Sequence, residues 1–483
     1  MEQQRKLKRT LGFAAAYGAA VGLVVSGSAM FSVGNVGGTT GYATCITALI
    51  ALIPMMAAAF AYGELTSMLP GGGMISDYTV PALGRFWGAF ALISGYVVLI
   101  ACDGGTQLIM GGESMQQLCG IPQLAVTLVL TFLVIFINIF GVDFYGKSEA
   151  VITVLMMGIF AVLSLLGFFH VGEAFGAEPV NESLGFLPEG GWGTVLGSVG
   201  TAIWFFIGFE FACPMAEENK KPYKNIPYAL IFGLISIYVI DCIFSAASVR
   251  YTDLNILSTS AIPHVEAAKS MLGTAGFVIM TLLTIMASFT TANSYCAALP
   301  RMLYGMAREG QVPKFFGKIN PKTRTPVNGV IFTGLLMMIT IIYINMNGAN
   351  ADTVSALISV ACITWMVSYA IAMIDVLILR KKYPDYPRLW KAPFAKFTLP
   401  IGIIGVIYAI STLSDYLVPA IICMIVVAVY CIVWMKIKGI KMFQPEPLEN
   451  LAKDIQERSE YLEGWDEEVT KWISSRKRGN AYE

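Results

Sequence analysis

Four carboxylate side chains lie inside long apolar stretches of this sequence, where an ionised group is costly. A carboxylate at the centre of a bilayer costs at least about 2.5–3.5 kcal/mol on insertion scales, so each one is a candidate functional group. Asp103 precedes two glycines and is expected to pair with an amine or to carry a proton, unless it only joins two helices. Asp241 is expected to be a proton site or a packed polar contact, and Glu113 a hydrated group near a helix end. The fourth carboxylate is that of Glu210.

Two apolar segments contain sequence that a continuous lipid-facing helix does not favour. One runs Ser26-Gly27-Ser28-Ala29, and the other runs Ile207-Gly208-Phe209-Glu210. Glycine at membrane depth frees backbone N–H and C=O groups, which are tolerated only where protein or water satisfies them. In a transporter, a pair of such segments points to a midplane site, where half-helix amino ends face an anion and unwound carbonyls receive a cation. Close helix packing is the alternative role for any single glycine.

The composition excludes a soluble protein and shows which elements must position these groups. Of 483 residues, 56% are hydrophobic and 13% are charged, against about 25% charged in soluble domains. A bilayer core needs roughly 20 apolar residues in a helix. Twelve such spans are predicted, at 11–34, 41–65, 86–112, 121–142, 147–170, 192–215, 226–249, 273–299, 327–346, 352–379, 397–413 and 415–437.

The basic residues are distributed unevenly between the loops. The chain has 32 Lys and Arg against 32 Asp and Glu, so no overall basic charge points to nucleic acid as a partner. With the amino terminus inside, only Arg250 and Lys269 among the bases fall on the outer side. Because Lys and Arg are retained on the cytoplasmic side, both termini are predicted to be cytoplasmic in a multi-pass protein of the cell membrane.

The chain divides by composition into a membrane domain, residues 1–440, and an acidic tail, residues 441–483. Pro445 and Pro447 end the last span. Apolar residues then recur at helical spacing, which predicts an amphipathic helix that packs on the cytoplasmic base. A regulatory plug over the inner mouth is the alternative. The apolar stripe comprises Leu448, Leu451, Ile455, Leu462, Trp465, Val469 and Trp472.

Three motifs resemble those of the amino acid-polyamine-organocation transporters. Gly27-Ser28-Ala29-Met30-Phe31 is similar to the Gly-Ser-Gly-Ile-Phe of the family's first helix. Residues 204–210, with Ala216-Glu217-Glu218-Asn219-Lys220 behind them, are similar to its sixth helix and the following loop. Met306-Ala307-Arg308-Glu309-Gly310, with Arg324-Thr325-Pro326 later, resembles the end of its eighth helix. The resemblance covers nearly the whole membrane region.

The resemblance implies a fold and an activity. The fold is an all-α integral membrane protein of twelve transmembrane helices, in which helices 1 and 6 are broken. It is built as a five-plus-five inverted repeat with two extra helices at the end. The implied activity is movement of amino acids or related amines by alternating access.

The resemblance also implies a substrate seat at the two interrupted segments. The N–H groups around Ser28 and Ala29 are expected to hold a substrate carboxylate. Carbonyls near Val25, Trp204 and Ile207 are expected to take the ammonium. Asp103 is expected to pair with a substrate amine. The predicted substrate-binding residues are Val25, Ser26, Gly27, Ser28, Ala29, Asp103, Trp204, Ile207 and Gly208.

Gating and coupling residues are assigned by the same resemblance. Trp204 is similar to the aromatic that covers the substrate in exchangers of cationic amino acids, although a lipid-facing aromatic is the alternative. Glu210 resembles a nearby acidic residue that helps to couple opening, and Tyr295 falls where those exchangers have a second aromatic gate. Asp241, the candidate proton site, is added to this group. The predicted gating or coupling residues are Trp204, Glu210, Tyr295 and Asp241.

Two positions depart from the family pattern. Ala29 stands where the third glycine of the first motif is usual, so its methyl points into space normally left for backbone approach. Met156 stands where many members carry a lysine that substitutes for a sodium ion. The absence of that fixed charge and the presence of Asp103 favour a cationic or amine-bearing substrate.

The function favoured by these observations is secondary active transport of an amino acid or small amine, through exchange or proton coupling. The alternative is a sodium-coupled symporter, in which hydroxyls of Ser288 and Thr291 join unwound carbonyls around the ion. A transporter-like sensor with the tail as its output is a further alternative. No repeated charged ring indicates a channel, and no nucleophile triad or metal cluster indicates an enzyme. No cofactor is expected, and the protein is predicted to be a monomer or homodimer.

Overall fold

The chain folds into a helical bundle in the computed structural model, which describes residues 9–140, 142–323, 325–348 and 350–479. Apart from one isolated bridge between Leu11 and Asn219, the regular structure of these residues is helical. Helices predominate because a helix satisfies its own backbone N–H and C=O groups, which lipid cannot do. Residues 1–8, Arg324 and residues 480–483, which belong to the predicted domains and motifs above, lie outside the described residues.

The helices follow the predicted spans closely, and most boundaries agree within a few residues. They are α1 Phe13–Gly22, α2 Gly27–Thr40, α3 Thr44–Met68, α4 Ile75–Leu83, α5 Arg85–Cys119, α6 Gln123–Phe140, α7 Val142–Phe168, α8 Gly191–Gly197, α9 Val199–Ile203, α10 Pro222–Tyr251, α11 Leu254–Thr259, α12 Pro263–Arg308, α13 Val327–Asn347, α14 Ala351–Lys382, α15 Ala395–Thr412, α16 Leu417–Lys438, α17 Leu448–Arg458 and α18 Trp465–Gly479.

Ten helical stretches among the described residues are long and apolar enough to cross a membrane. The first joins α2 and α3 through a short turn, so it contains parts of two predicted spans. The sixth predicted span is not among the ten, because it forms two short helices and then an irregular segment that continues as a 3-10 helix over Phe209–Glu217. The chain is therefore a multi-pass membrane protein.

The first and sixth predicted spans are interrupted, as expected. α1 ends at Gly22 and α2 begins at Gly27, while α9 ends at Ile203 and regular structure resumes at Phe209. The eighth span differs from the prediction. Its helix starts ten residues earlier, at Pro263, and bends where Leu272 and Gly273 leave helical geometry.

Glu64 holds together one end of the bundle, here called the basic end, where Arg380 and Arg388 lie. The Glu64 side chain is fully buried. Its carboxylate accepts hydrogen bonds from Nε of Arg380 at 2.9 Å, Nε of Arg388 at 3.2 Å and the backbone N–H of Ala392 at 2.8 Å. Burial lowers the pKa of Arg388, and the neighbouring Glu64 carboxylate opposes that change. The pairing ties the end of α3 to the end of α14 and the loop behind it.

The opposite end of the bundle carries a smaller and more exposed charge cluster. Glu173 accepts hydrogen bonds from Arg250 at 3.1 Å and from the Tyr251 hydroxyl at 2.8 Å, and it lies 3.0 Å from a ring nitrogen of His170. Hydrogen bonds from Tyr251, His170 and Arg250, in that order, lower the pKa of Glu173 to about 2. This acidic loop is therefore partly neutralised by Arg250, one of the two bases predicted on the outer side.

The tail forms two helices rather than the single helix predicted from its apolar stripe. The chain leaves helical structure between Arg458 and Trp465, where the Asp466 carboxylate accepts a hydrogen bond from the backbone N–H of Leu462. Both helices nevertheless bury the predicted apolar residues. A continuous helix would have carried the second half of the stripe away from the bundle, so the break serves the packing.

The tail packs on the basic end of the bundle, where it contacts several elements. The indole N–H of Trp465 donates to the carbonyl of Met68 at 2.9 Å, and the Trp472 ring packs edge-on against Tyr386 at 4.8 Å. Arg9 connects the tail to the sixth span, because its guanidinium donates to the carbonyls of Glu460, at 3.0 Å, and Ala216, at 2.8 Å.

The Glu64 cluster yields a stability prediction. In Glu64→Gln the two guanidiniums lose their carboxylate, and breaking a buried ion pair on one side costs about 3–5 kcal/mol. We expect a clearly lower thermal unfolding midpoint for the detergent-solubilised protein. The control is Glu468→Gln, because Glu468 pairs with Lys471 while both side chains are about half exposed or more. Equal midpoints for the two variants would show that the cluster does not stabilise the fold.

Candidate functional site

The two interrupted segments meet inside the bundle. Gly208 has φ of +110°, a conformation that L side chains rarely adopt. A Cβ at this position would also overlap the side chain of Leu23, which lies in the first interruption. The irregular backbone of the sixth span therefore packs directly on that of the first, at a place closed by protein on all sides.

The first turn of α2 provides backbone donors at this meeting point. Ser26 precedes the helix in an extended conformation, and its hydroxyl accepts a hydrogen bond from the N–H of Ala29 at 3.1 Å. The N–H of Ser28 points elsewhere, toward the side chain of Gln107 on α5. Both N–H groups are therefore paired with side-chain oxygens, and the helix dipole favours an anion or a carbonyl oxygen at this turn.

Gln107 is the central residue that sequence reasoning missed. Its side-chain oxygen accepts from the Ser28 N–H at 3.3 Å, while its side-chain nitrogen donates to the Ser28 hydroxyl and, at 2.9 Å, to a carboxylate oxygen of Asp103. All three side chains are fully buried. The signal available in the sequence was its position one helical turn after Asp103, which places both on one face of α5.

Asp103 sits in a wide helical turn of α5, over Ile100–Gly104, and receives donors from two directions. The hydroxyl of Tyr295 on α12 donates to it at 2.7 Å, in addition to the amide of Gln107. Gly104 and Gly105, which follow Asp103, pack closely against a neighbouring helix. They allow α13 to approach, since a Cβ at Gly105 would overlap the backbone of Met337.

Trp204 covers this group from the sixth span. Its indole N–H donates to the Ser28 hydroxyl at 2.9 Å, and its ring lies edge-on to Trp365 with centroids 6.3 Å apart. The side chain is 4% exposed, so it is not a lipid-facing aromatic. Beside it lies a small cavity of about 10 Å³, roughly the space of one water, lined by Phe31, Ser32, Trp204, Ser359 and Cys362.

Glu210 lies in an aromatic cage behind Trp204. Its carboxylate accepts hydrogen bonds from the Tyr96 hydroxyl at 2.9 Å, the Trp365 indole at 2.7 Å and the Tyr369 hydroxyl at 2.6 Å. The Tyr369 oxygen also accepts from the N–H of Gly208 at 3.3 Å, which links the cage to the interrupted backbone. Glu210 thus joins the sixth span to both α5 and α14.

The groups around Asp103 and Glu210 are in contact through aromatic rings. Phe211 packs against Tyr295, with centroids 6.2 Å apart, and against Trp365 at 5.9 Å. Neither carboxylate forms an ion pair with a basic side chain among the described residues. The hydrogen bonds to both carboxylates come from neutral amide, hydroxyl and indole donors.

The remaining predicted residues divide into two groups. Val25 and Ile207 are buried at the two interruptions, as their predicted role requires. Asp241 lies on α10, outside the network around Asp103 and Glu210, and its carboxylate makes no hydrogen bond to any described residue. Its role as a coupling residue stays a prediction.

Ser288 and Thr291, the predicted sodium ligands, do not donate hydrogen bonds to carbonyls of their own helix. The side-chain oxygens of Ser288 and Thr291 are buried and have no hydrogen-bond partner among the described residues. The Thr153 hydroxyl on α7 is also unpaired and lies against Gly22, at the end of α1. Met156 is buried on the same helix as Thr153, where the resemblance placed it.

Comparison with known proteins identifies the family. A family model described as amino acid permease matches residues 11–422. The chain belongs to the amino acid permease family, within the amino acid-polyamine-organocation superfamily that the motifs resemble. It is a membrane transporter of amino acids, and its relatives are permeases and transporters rather than enzymes.

Two curated relatives illustrate the similarity. A γ-aminobutyric acid permease of Bacillus subtilis is 26% identical over 413 residues, which cover 81% of this chain and 84% of the relative. A branched-chain amino acid permease of the same organism is 23% identical over 424 residues, covering 81% and 85%. Each comparison spans most of both proteins.

A solved structure supports the fold independently. A manganese transporter from Eremococcus coleocola superposes with a TM-score of 0.54 at 14% sequence identity, covering 95% of this chain and 99% of that one. A likeness at this identity supports the arrangement of helices and says nothing about the substrate.

The position of Trp204 generates a prediction. Trp204→Phe keeps a ring over the site and loses the hydrogen bond to Ser28, whereas Trp204→Ala removes the cover. We expect uptake of a labelled amino acid mixture into proteoliposomes to fall roughly tenfold or more for the alanine variant and less for phenylalanine. Trp192→Phe is the control, because the Trp192 side chain is exposed whereas that of Trp204 is buried. Unchanged uptake by a folded Trp204→Ala protein would refute the covering role.

Proposed function

We propose that this permease is a secondary active transporter that moves an amino acid by alternating access, through exchange or proton coupling. In this proposal it has twelve membrane-spanning helices in a five-plus-five inverted repeat with two extra helices. The basic end faces the cytoplasm, with both termini, and the membrane is that of the cell. The preference of Lys and Arg for the cytoplasmic side supports this orientation.

One observation carries the proposed substrate seat. A backbone N–H donor at the start of α2 and the acceptor carboxylate of Asp103 face the same buried point, where Ser28 and Gln107 already link them. An amino acid has the complementary pair of charges, because its carboxylate accepts and its ammonium donates. The relatives named for γ-aminobutyric acid and for branched-chain amino acids have substrates with the same two groups.

In this proposal, residues of the sixth span and their hydrogen-bond partners control access to the substrate site. Trp204 covers the seat, and movement of the half-helix that carries it would expose Ser28 and Asp103 to one side. Glu210 lies on the same span and is held by donors from α5 and α14, so opening must break or rearrange those hydrogen bonds. Tyr295 responds to occupancy of the seat, because its hydroxyl donates to Asp103.

A second form of coupling has its own support. The unpaired hydroxyls of Ser288 and Thr153 lie against Gly27 and Gly22 of the interrupted first span, whose freed carbonyls suit a sodium ion. The unpaired hydroxyl of Thr291 is three residues after Ser288 on α12. Burying three unpaired hydroxyls is costly unless something binds there. A sodium-coupled symporter is therefore the second candidate.

Replacing sodium by choline separates the two candidates. With proton coupling or exchange, uptake into proteoliposomes persists in choline at similar rates, because the cation is not a substrate. With sodium coupling, uptake collapses in choline and is restored by sodium. Ser288→Ala with Thr291→Val should then weaken the sodium dependence, since both hydroxyls are lost.

The Asp103 carboxylate gives a sharper test of the seat. Asp103→Asn keeps the shape of the side chain and removes its charge, so we expect affinity for the transported amino acid to fall at least roughly tenfold. Binding can be measured by thermal shift, since a ligand of the folded state raises apparent stability. The control is Asp352→Asn, a change at an exposed position in the first turn of α14. Equal affinity of Asp103→Asn and wild type would place the ammonium elsewhere.

A further inference from the structure

The side-chain amide of Gln107 occupies both halves of the proposed seat at once. Its oxygen takes the Ser28 N–H that a substrate carboxylate would take, and its nitrogen donates to Asp103 as a substrate ammonium would. The orientation of the amide is fixed by chemistry, because the reverse orientation would place its oxygen against the Asp103 carboxylate, which has no donor when ionised.

The surroundings of Gln107 are shaped to hold it in this position. A Cβ at Gly27 would lie 3.2 Å from its side-chain oxygen, so a glycine at the start of α2 leaves the room that the amide uses. The Ser28 hydroxyl, which receives the amide nitrogen, also receives the indole N–H of Trp204. The covering residue and the amide therefore bind the same oxygen, and the seat is closed with Gln107 in it.

We propose that Gln107 is a built-in occupant of the substrate seat, which the transported amino acid displaces; this inference rests on the proposed function. The occupant has an energetic purpose. If the site closed without the Gln107 amide, the Asp103 carboxylate would lose one hydrogen-bond donor and the Ser28 N–H would have no acceptor. Buried polar groups without partners are strongly unfavourable. With Gln107 in place, the carrier can close and reorient without cargo.

The geometry of the occupant also defines the substrate class. The oxygen and nitrogen of an amide are attached to one carbon, so the two positions that they fill lie close together. The carboxylate and ammonium of an α-amino acid are on adjacent carbons and can replace both. A decarboxylated amine has no carboxylate and leaves the Ser28 N–H unpaired.

Net transport and exchange respond differently to loss of the occupant. During net uptake, the carrier must reorient without substrate after each release. During exchange, the carrier reorients with a substrate molecule bound in both directions. Gln107→Met keeps the length of the side chain and removes the amide. The variant therefore loses hydrogen bonds only in the substrate-free carrier, which must reorient during net uptake. We expect uptake of labelled α-amino acid into unloaded proteoliposomes to fall about tenfold, and uptake into liposomes loaded with the unlabelled amino acid to change less than about twofold. The matched control is Gln117→Met, an exposed position on the same helix.

Binding supplies the second measurement. Because substrate no longer has to displace the amide, the Kd of Gln107→Met for the α-amino acid should be lower than that of wild type, by about three- to tenfold. In wild type, the corresponding decarboxylated amine should compete at least about tenfold more weakly than the α-amino acid.

The outcomes separate the inference from the function on which it rests. No amino acid transport by wild type in either mode would overturn the proposed function. Transport by wild type with equal losses of net uptake and exchange in Gln107→Met, or with weaker binding, would overturn the occupant and make Gln107 a direct ligand. Exchange that persists in the variant also shows that it is folded, and equal competition by the amine would overturn the α-amino acid assignment.

Discussion

The structure depends on one constraint, which is that backbone groups freed inside a membrane must find partners within the protein. Two spans are interrupted, and the protein places both interruptions in contact, where Gly208 lies against Leu23 and is buried. The freed groups then receive side chains rather than lipid, as in the bonds of the Ser28 N–H to Gln107 and of the Gly208 N–H to Tyr369. The functional site is the set of residues that meets this requirement.

Two buried carboxylates follow from the same arrangement. Asp103 and Glu210 receive hydrogen bonds from hydroxyl, amide and indole donors, and neither pairs with a described basic side chain. Such donors tolerate an ionised carboxylate without neutralising it. Asp103 lies beside Ser28, and Glu210 holds the sixth span against α5 and α14. The rings of Tyr295, Phe211 and Trp365 connect the two groups, and in the proposed mechanism these contacts link substrate binding to the position of that span.

The sequence predicted the parts of this site that have a local signature. The glycine-rich interruptions, the carboxylates Asp103 and Glu210, and Trp204 can each be recognised from a single segment, and the structure brings these residues together. Asp241 was recognised in the same way and lies outside this network. Gln107 was missed because an amide in an apolar helix has no local signature, and its role depends on Ser28, 79 residues away. The cage around Glu210 was missed for the same reason, since Tyr96, Trp365 and Tyr369 come from distant helices. The tail was predicted as one helix because periodicity continues through the turn between α17 and α18.

The central claim is that the Ser28 N–H and the Asp103 carboxylate together receive the two charges of an amino acid. A cryo-electron microscopy structure of the purified protein with a bound α-amino acid tests it most directly. The predicted result is a carboxylate on the Ser28 N–H, an ammonium on Asp103 and the Gln107 amide turned away from both. Density for the amino acid elsewhere, with the Gln107 amide still bonded to Ser28 and Asp103, would contradict the account.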